Sequence, residues 1–136
     1  MNLKLVFRIF GGLNMLTGAF ALFATKAMLD SAGLTVTNEL ITVGQGFAIT
    51  AIVLGLVSWR TADIAGDSLY AYGQLFGIVQ ALQILLIVYH LMTGQAGGPP
   101  VYINLIVGIV LAALFYFYSQ QAVSYTHLTL PTNREV

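Results

Sequence analysis

Polar and charged residues divide the chain into four long apolar runs, each carrying small or amide-bearing residues at helical spacing. The third, from Leu69 to about Met92, contains no Lys, Arg, Asp or Glu. At 1.5 Å per residue such a helix crosses the roughly 30 Å hydrocarbon core of a bilayer. With about 100° of turn per residue, Gly73, Gly77, Gln80, Gln83 and Ile87 share one sector and His90 lies at its edge. Leu75, Val79, Leu82 and Leu86 fall mostly outside it. That is the pattern of a membrane helix with one face against protein and the rest against lipid.

The other runs read alike. In the first, Gly11, Asn14, Gly18, Ala21 and Thr25 form a small and polar seam. Its basic start and Ala19-Phe20-Ala21 also fit a signal peptide, but a run of about twenty residues interrupted by Gly11, Gly12, Asn14 and Thr17 favours a retained helix. The second carries Gly44, Ala48, Ala51 and Gly55, with Thr42, Gln45 and Thr50 as polar members. In the fourth, Asn104, Gly108 and Ala112 share a side, and Phe115-Tyr116-Phe117-Tyr118 closes it at the interface.

The connections are short. Residues 26–39 read as a loop in which Thr37 or Asn38 caps the next helix and Glu39 favours its N-terminus. Residues 60–67 read as a polar turn, with Asp63 and Asp67 as solvated loop charges and a cap near Ser68. Between Thr93 and Pro100, Gly94 stops one helix and Pro100 suits the first turn of the next. Short links force antiparallel neighbours. The expected fold is all-α, a four-transmembrane-helix up-down-up-down bundle with helices at about 5–25, 40–59, 69–92 and 101–119. These form a single integral membrane domain of residues 1–122.

Composition narrows the class. Of 136 residues, 58% are hydrophobic and 7% charged, with mean hydropathy +0.86; a soluble domain carries about a quarter charged residues. Zero net charge leaves no basic face for nucleic acid and no polybasic run for anionic lipid. The absence of cysteine excludes disulfides, thiolate catalysis and Cys-ligated metals. Lys4, Arg8 and Arg60 fall on one side of the expected bundle and Lys26 on the other. The positive-inside rule then places both termini in the cytoplasm of a multi-pass cell-membrane protein. Trp59, Tyr70, Tyr72, Tyr116 and Tyr118 form an aromatic belt on that side. Arg8 most simply snorkels to the headgroups; the sharper reading points it into a cavity as an anion contact.

The tail is different in kind. Val123-Ser-Tyr-Thr-His-Leu-Thr-Leu-Pro-Thr132 resembles the translation of a sequencing-library adapter, which implies a non-native tail over 123–136. His127, Pro131, Arg134 and Glu135 then leave the inventory, and His90 becomes the single histidine.

Candidate chemistry is sparse. No nucleophile–base set or metal site is assembled, and Gly44-Gln45-Gly46 lacks the further glycine and preceding strand of a phosphate loop. His90 fits an interfacial hydrogen-bonded residue, a proton carrier, or a ligand shared across a symmetric oligomer. The amides Asn14, Gln45, Gln80, Gln83 and Asn104 come from all four helices and, with His90, form a candidate ligand-binding cluster. Interhelical bonds alone explain them at about 0.6 kcal/mol each; a mid-membrane pocket for a quinone or other amphiphile explains their supply from every helix. Gly11, Gly18, Gly44, Gly55, Gly73, Gly77 and Gly108 are the expected packing positions. The spans hold no Asp or Glu, which disfavours a carboxylate-driven pump.

Arg8-x-x-Gly11-Gly12 and Gly18 in the first helix, a short loop, and a glycine-rich second helix ending at Trp59-Arg60 resemble the DoxX-like group of small four-helix membrane proteins. The first loop departs from that pattern in having no proline. The resemblance spans roughly residues 3–120. It implies a bacterial inner-membrane protein with a quinone-linked or accessory role beside a membrane oxidoreductase partner, and carries no catalytic motif. Two classes of function are therefore expected: an accessory or binding subunit of a membrane complex, or a small transporter or channel built as a homo-oligomer. Co-purifying partners mark the first, and solute flux by the reconstituted chain alone marks the second.

Overall fold

The computed structural model describes the backbone of residues 2–126 and the side chains of residues 2–120. The helices are α1 (Leu3–Phe23), α2 (Thr25–Ser31), α3 (Asn38–Ile64), α4 (Leu69–Thr93) and α5 (Pro99–Thr126), with one 3-10 turn at Gly66–Ser68. Every helix except α2 is long and apolar enough to span a bilayer. The protein is an all-α, multi-pass membrane protein whose four spans form an up-down-up-down bundle. The end holding Asn2 and the Gly66–Ser68 turn is called proximal below; the end holding α2 and the α4–α5 turn is distal.

The spans pair off. α1 packs along α3 and α4 along α5, while α1 also reaches both members of the second pair and α3 meets α4 only sparsely. Missing side chains set both close pairs. A Cβ at Gly18 would lie 2.7 Å from the Ala48 carbonyl oxygen, and one at Gly73 would lie 3.0 Å from Leu3 and Ser119 side-chain carbons. Gly77 faces Phe115, and Gly44 faces Thr25 and Leu29 of α2.

The core sits in the proximal half. Phe7 and Phe10 of α1 meet Phe76 of α4 and Phe115 of α5 edge to face, with ring centroids 5.0 to 5.7 Å apart. Lipid tails are as apolar as these rings, so close packing and edge-to-face geometry hold the cluster more than burial itself. Beside it, the fully buried Ser58 hydroxyl donates to the Phe7 carbonyl at 2.9 Å, a cross-link between α1 and α3.

Several boundaries differ from the expected ones. α1 starts at Leu3 because the Asn2 side chain accepts from the Leu5 N–H at 3.0 Å. It ends at Phe23, since the Thr25 hydroxyl bonds the Ala21 and Leu22 carbonyls and the backbone leaves helical geometry at Ala24. Thr25 thus belongs to α2, a short helix inside the expected loop. Thr37 caps α3 as expected, accepting from Leu40 N–H at 3.2 Å. The expected polar turn at 60–67 is instead helical through Ile64, because no breaker precedes Gly66, whose φ is +53°. Asp63 is therefore no loop charge: on α3 it accepts a hydrogen bond from Arg8 Nη2 at 2.8 Å. Arg8, about half exposed at the proximal end, is paired with this carboxylate and not free. Ser68 precedes α4 without a side-chain capping bond.

α4 matches expectation, and Gly94 ends it in the left-handed conformation at φ +68°. α5 begins at Pro99, in the proline-tolerant first turn, and continues through the described Thr126, since nothing between Ser119 and Thr126 breaks a helix. The first residues of the expected non-native tail, from Val123, thus continue α5. The remainder, including His127, Pro131, Arg134 and Glu135, lies outside the described residues.

Candidate functional site

Above the phenylalanine cluster the bundle opens. A crevice of about 320 Å³ separates α3 from the α4–α5 pair, with α1 at its back. Phe10 forms its floor; α1 adds Asn14 and Thr17, α3 adds Phe47 and Thr50, α4 adds Gln80 and Gln83, and α5 adds Asn104 and Gly108. Gln80 lies thirteen residues from the distal end of α4 and Asn104 five residues into α5. At 1.5 Å per residue the polar wall covers depths of about 8 to 20 Å from the distal helix ends. This is the middle and distal part of a span.

Gln80 is the central polar group. It is 7% exposed, and among the described residues its amide has no protein hydrogen-bond partner. No fully enclosed side-chain nitrogen or oxygen is left unbonded there, so this amide opens on the crevice and not on packed protein. The space beside it is set by Gly108, where a Cβ would lie 3.7 Å from Gln80 Oε1. Gln83 and Asn104 are exposed and line the same crevice. Asn14 is half-buried; its Nδ2 donates to the Phe10 carbonyl at 2.9 Å, which leaves its own oxygen unengaged. The Thr50 hydroxyl donates back to Gly46.

Four of the six expected cluster residues therefore meet: Asn14, Gln80, Gln83 and Asn104. Gln45 is exposed on α3 and lines no part of the crevice. His90 is half-buried near the distal end of α4, its ring 5.9 Å from that of Tyr89, also away from the crevice. Sequence reasoning missed Thr17 and Thr50 as wall residues. The spacing of Thr17, three after Asn14 on one helical face, was the available signal.

The crevice walls hold no Lys, Arg, Asp or Glu, so a charged guest would be desolvated without a counter-charge. Among the described residues no three His, Asp or Glu side chains converge in a metal-holding group. A wider hollow of about 910 Å³ beside α2 is lined by Thr25, Lys26, Asp30 and Thr35 among apolar residues, with Lys26 and Asp30 exposed. At the proximal end Lys4 and Arg60 flank the Arg8–Asp63 pair at longer range. No family model, curated protein or solved structure matches this chain. The crevice geometry supplies the site.

Proposed function

We propose that this protein is an accessory or binding subunit of a cell-membrane complex, holding a quinone-class amphiphile by its headgroup in the crevice. The observation that carries the reading is the Gln80 amide, which opens without a protein hydrogen-bond partner on a mid-membrane space. Such a group costs about 1–3 kcal/mol when left unsatisfied, and a ligand oxygen removes that penalty.

A primary amide suits this ligand class because it offers both donors and an acceptor. Its N–H groups donate to the carbonyl of an oxidised ring, and its oxygen accepts from the hydroxyl of the reduced one. Gln83, Asn104 and the free oxygen of Asn14 add the same chemistry nearby. The volume stands at the lower end of small-molecule sites, enough for a ring with its tail left in lipid. The described residues offer no ligand set for a redox metal. In this reading the redox centre that exchanges electrons with the quinone sits on a partner, in keeping with the resemblance to the DoxX-like group.

Lys4, Arg8 and Arg60 at the proximal end, against Lys26 at the distal end, support a cytoplasmic proximal end and cytoplasmic termini. The crevice then belongs to the non-cytoplasmic half of the membrane. Transport by one copy is disfavoured, because the buried phenylalanine cluster fills the proximal half.

Native mass spectrometry of the full chain in mild detergent tests the proposal. A small-molecule adduct of quinone mass, lost in Gln80→Leu and Gln83→Leu, is the expected result. A chain free of adduct that moves solute when reconstituted alone would replace this reading with the transporter one.

A further inference from the structure

We infer that the crevice exchanges its ligand sideways with the bilayer, through a mouth between α3 and the α4–α5 pair, and is shut toward both aqueous faces. Its guest is then an uncharged, lipid-dissolved molecule and not a solute drawn from water. This deepens the functional reading above and rests on it.

The floor is closed by packed rings. Phe10, at the bottom of the crevice, is 1% exposed and lies edge to face with Phe76 and Phe115, and Phe7 fills the space behind them at 0%. No water path leads from the crevice to the proximal surface through such a cluster.

The distal end is strapped by α2. This short helix meets α1, α3 and α5, and so bridges the two helices that the crevice separates. Its end is tied to the α4–α5 turn, where the Gly97 N–H donates to the Ala32 carbonyl at 3.0 Å. Gly98 packs directly beneath the Ser31 carbonyl oxygen and leaves no room for a side chain. Leu29, buried, faces the bare backbone at Gly44.

The opening that remains is lateral. Phe47 of α3 and Val79 of α4, on the two sides of that mouth, are 71% and 37% exposed, and each lies well inside its span. At that depth the surroundings are hydrocarbon. Exposed Phe47 and Val79 stand beside exposed but uncharged Thr17, Thr50, Gln83 and Asn104, and Gln80 lies buried among them, a lining suited to a guest that brings an uncharged polar head on an apolar tail.

The chain has no cysteine, so one introduced thiol carries a nitroxide label at a unique position. Full-length Thr50→Cys and Val79→Cys, on opposite walls, are labelled in phospholipid nanodiscs, with Asp67→Cys in the proximal turn as the aqueous reference. Collision with dissolved oxygen, which partitions into lipid, is compared with collision with a water-soluble nickel(II) chelate. Oxygen is expected to dominate several-fold at positions 50 and 79, and the chelate at position 67. A decyl-tailed benzoquinone should lower the oxygen collisions at 50 and 79, and a sulfonated, tail-less benzoquinone should not. Two wall positions keep the test decisive if one variant fails to fold. Nickel collision at the walls equal to that at position 67 would overturn lateral access, whatever the quinone does. Equal protection by the sulfonated compound would overturn the lipid-dissolved guest. Lipid-exposed walls that no quinone affects would uphold the mouth and remove the quinone-class ligand.

Discussion

Gly11 and Gly55 stand backbone to backbone: a Cβ on either would lie 2.7 Å from the carbonyl oxygen of the other. This reciprocal approach fixes both the spacing and the axial register of α1 on α3. Gly12, one residue along, meets only the rim of the Trp59 ring at 3.8 Å. Neighbouring glycines thus do different work.

Gly11→Ala and Gly55→Ala should each destabilise the bundle by about 1–3 kcal/mol, the range for overpacking a close interface. Gly46 has open space where its Cβ would be. Gly46→Ala should therefore be neutral or stabilising by about 0.5–1 kcal/mol, from helix propensity alone. Unfolding titrations with SDS in mixed micelles measure all three, and equal losses at Gly46 and Gly11 would contradict the seam.

Phe115 is fully buried among three other rings, whereas Leu82 is 61% exposed to the lipid side. Phe115→Ala should cost about 3–5 kcal/mol, as large core truncations do. Leu82→Ala should change stability little, because lipid replaces the lost side chain. The same titration reads the difference.

Gln80→Leu should move stability and binding in opposite directions. Removing an amide that opens unpartnered on a crevice facing hydrocarbon should stabilise the ligand-free bundle by about 1–3 kcal/mol, while the bound small molecule is lost. A thermal melt with and without added decyl-tailed benzoquinone separates the two effects. A Gln80→Leu chain that is less stable without ligand would show that the amide is bonded within the protein.

Ser58→Ala removes the hydroxyl that donates to the Phe7 carbonyl across α1 and α3. The expected loss is about 0.6 kcal/mol, the average for such bonds in membranes, and no more than about 1.7 kcal/mol.

Arg8 and Asp63 are partly exposed at the bundle end, so their pairing should contribute little to stability. Its effect should appear as coupling. Charge reversal at either position alone should destabilise, and the exchanged pair Arg8→Asp with Asp63→Arg should recover most of the loss. A double-mutant cycle in low salt measures this, and strictly additive losses would show that the two groups act independently.

Much of this architecture was legible from the chain. Four spans of sufficient length, the Thr37 cap, the Gly94 stop and the glycine seams all follow from local rules: hydrocarbon thickness, helical periodicity and the need to satisfy backbone groups within each span. Alternating short links then leave one topology. These constraints act within a helix or a turn, so sequence suffices for them.

What the tertiary structure decided is relational. A helical wheel assigns Gln80, Gln83 and His90 to adjoining sectors but does not say which neighbour occupies each sector or at what depth. The α1–α3 and α4–α5 seams set those rotations, and they gather Asn14, Gln80, Gln83 and Asn104 while leaving Gln45 and His90 apart. The Arg8–Asp63 pair joins residues 55 positions apart and depends on α3 running on to Ile64. The phenylalanine cluster draws on three helices whose order in the chain says nothing of their rings meeting. Local physics determined the helices, and only the packing of their backbones decided which side chains share a site.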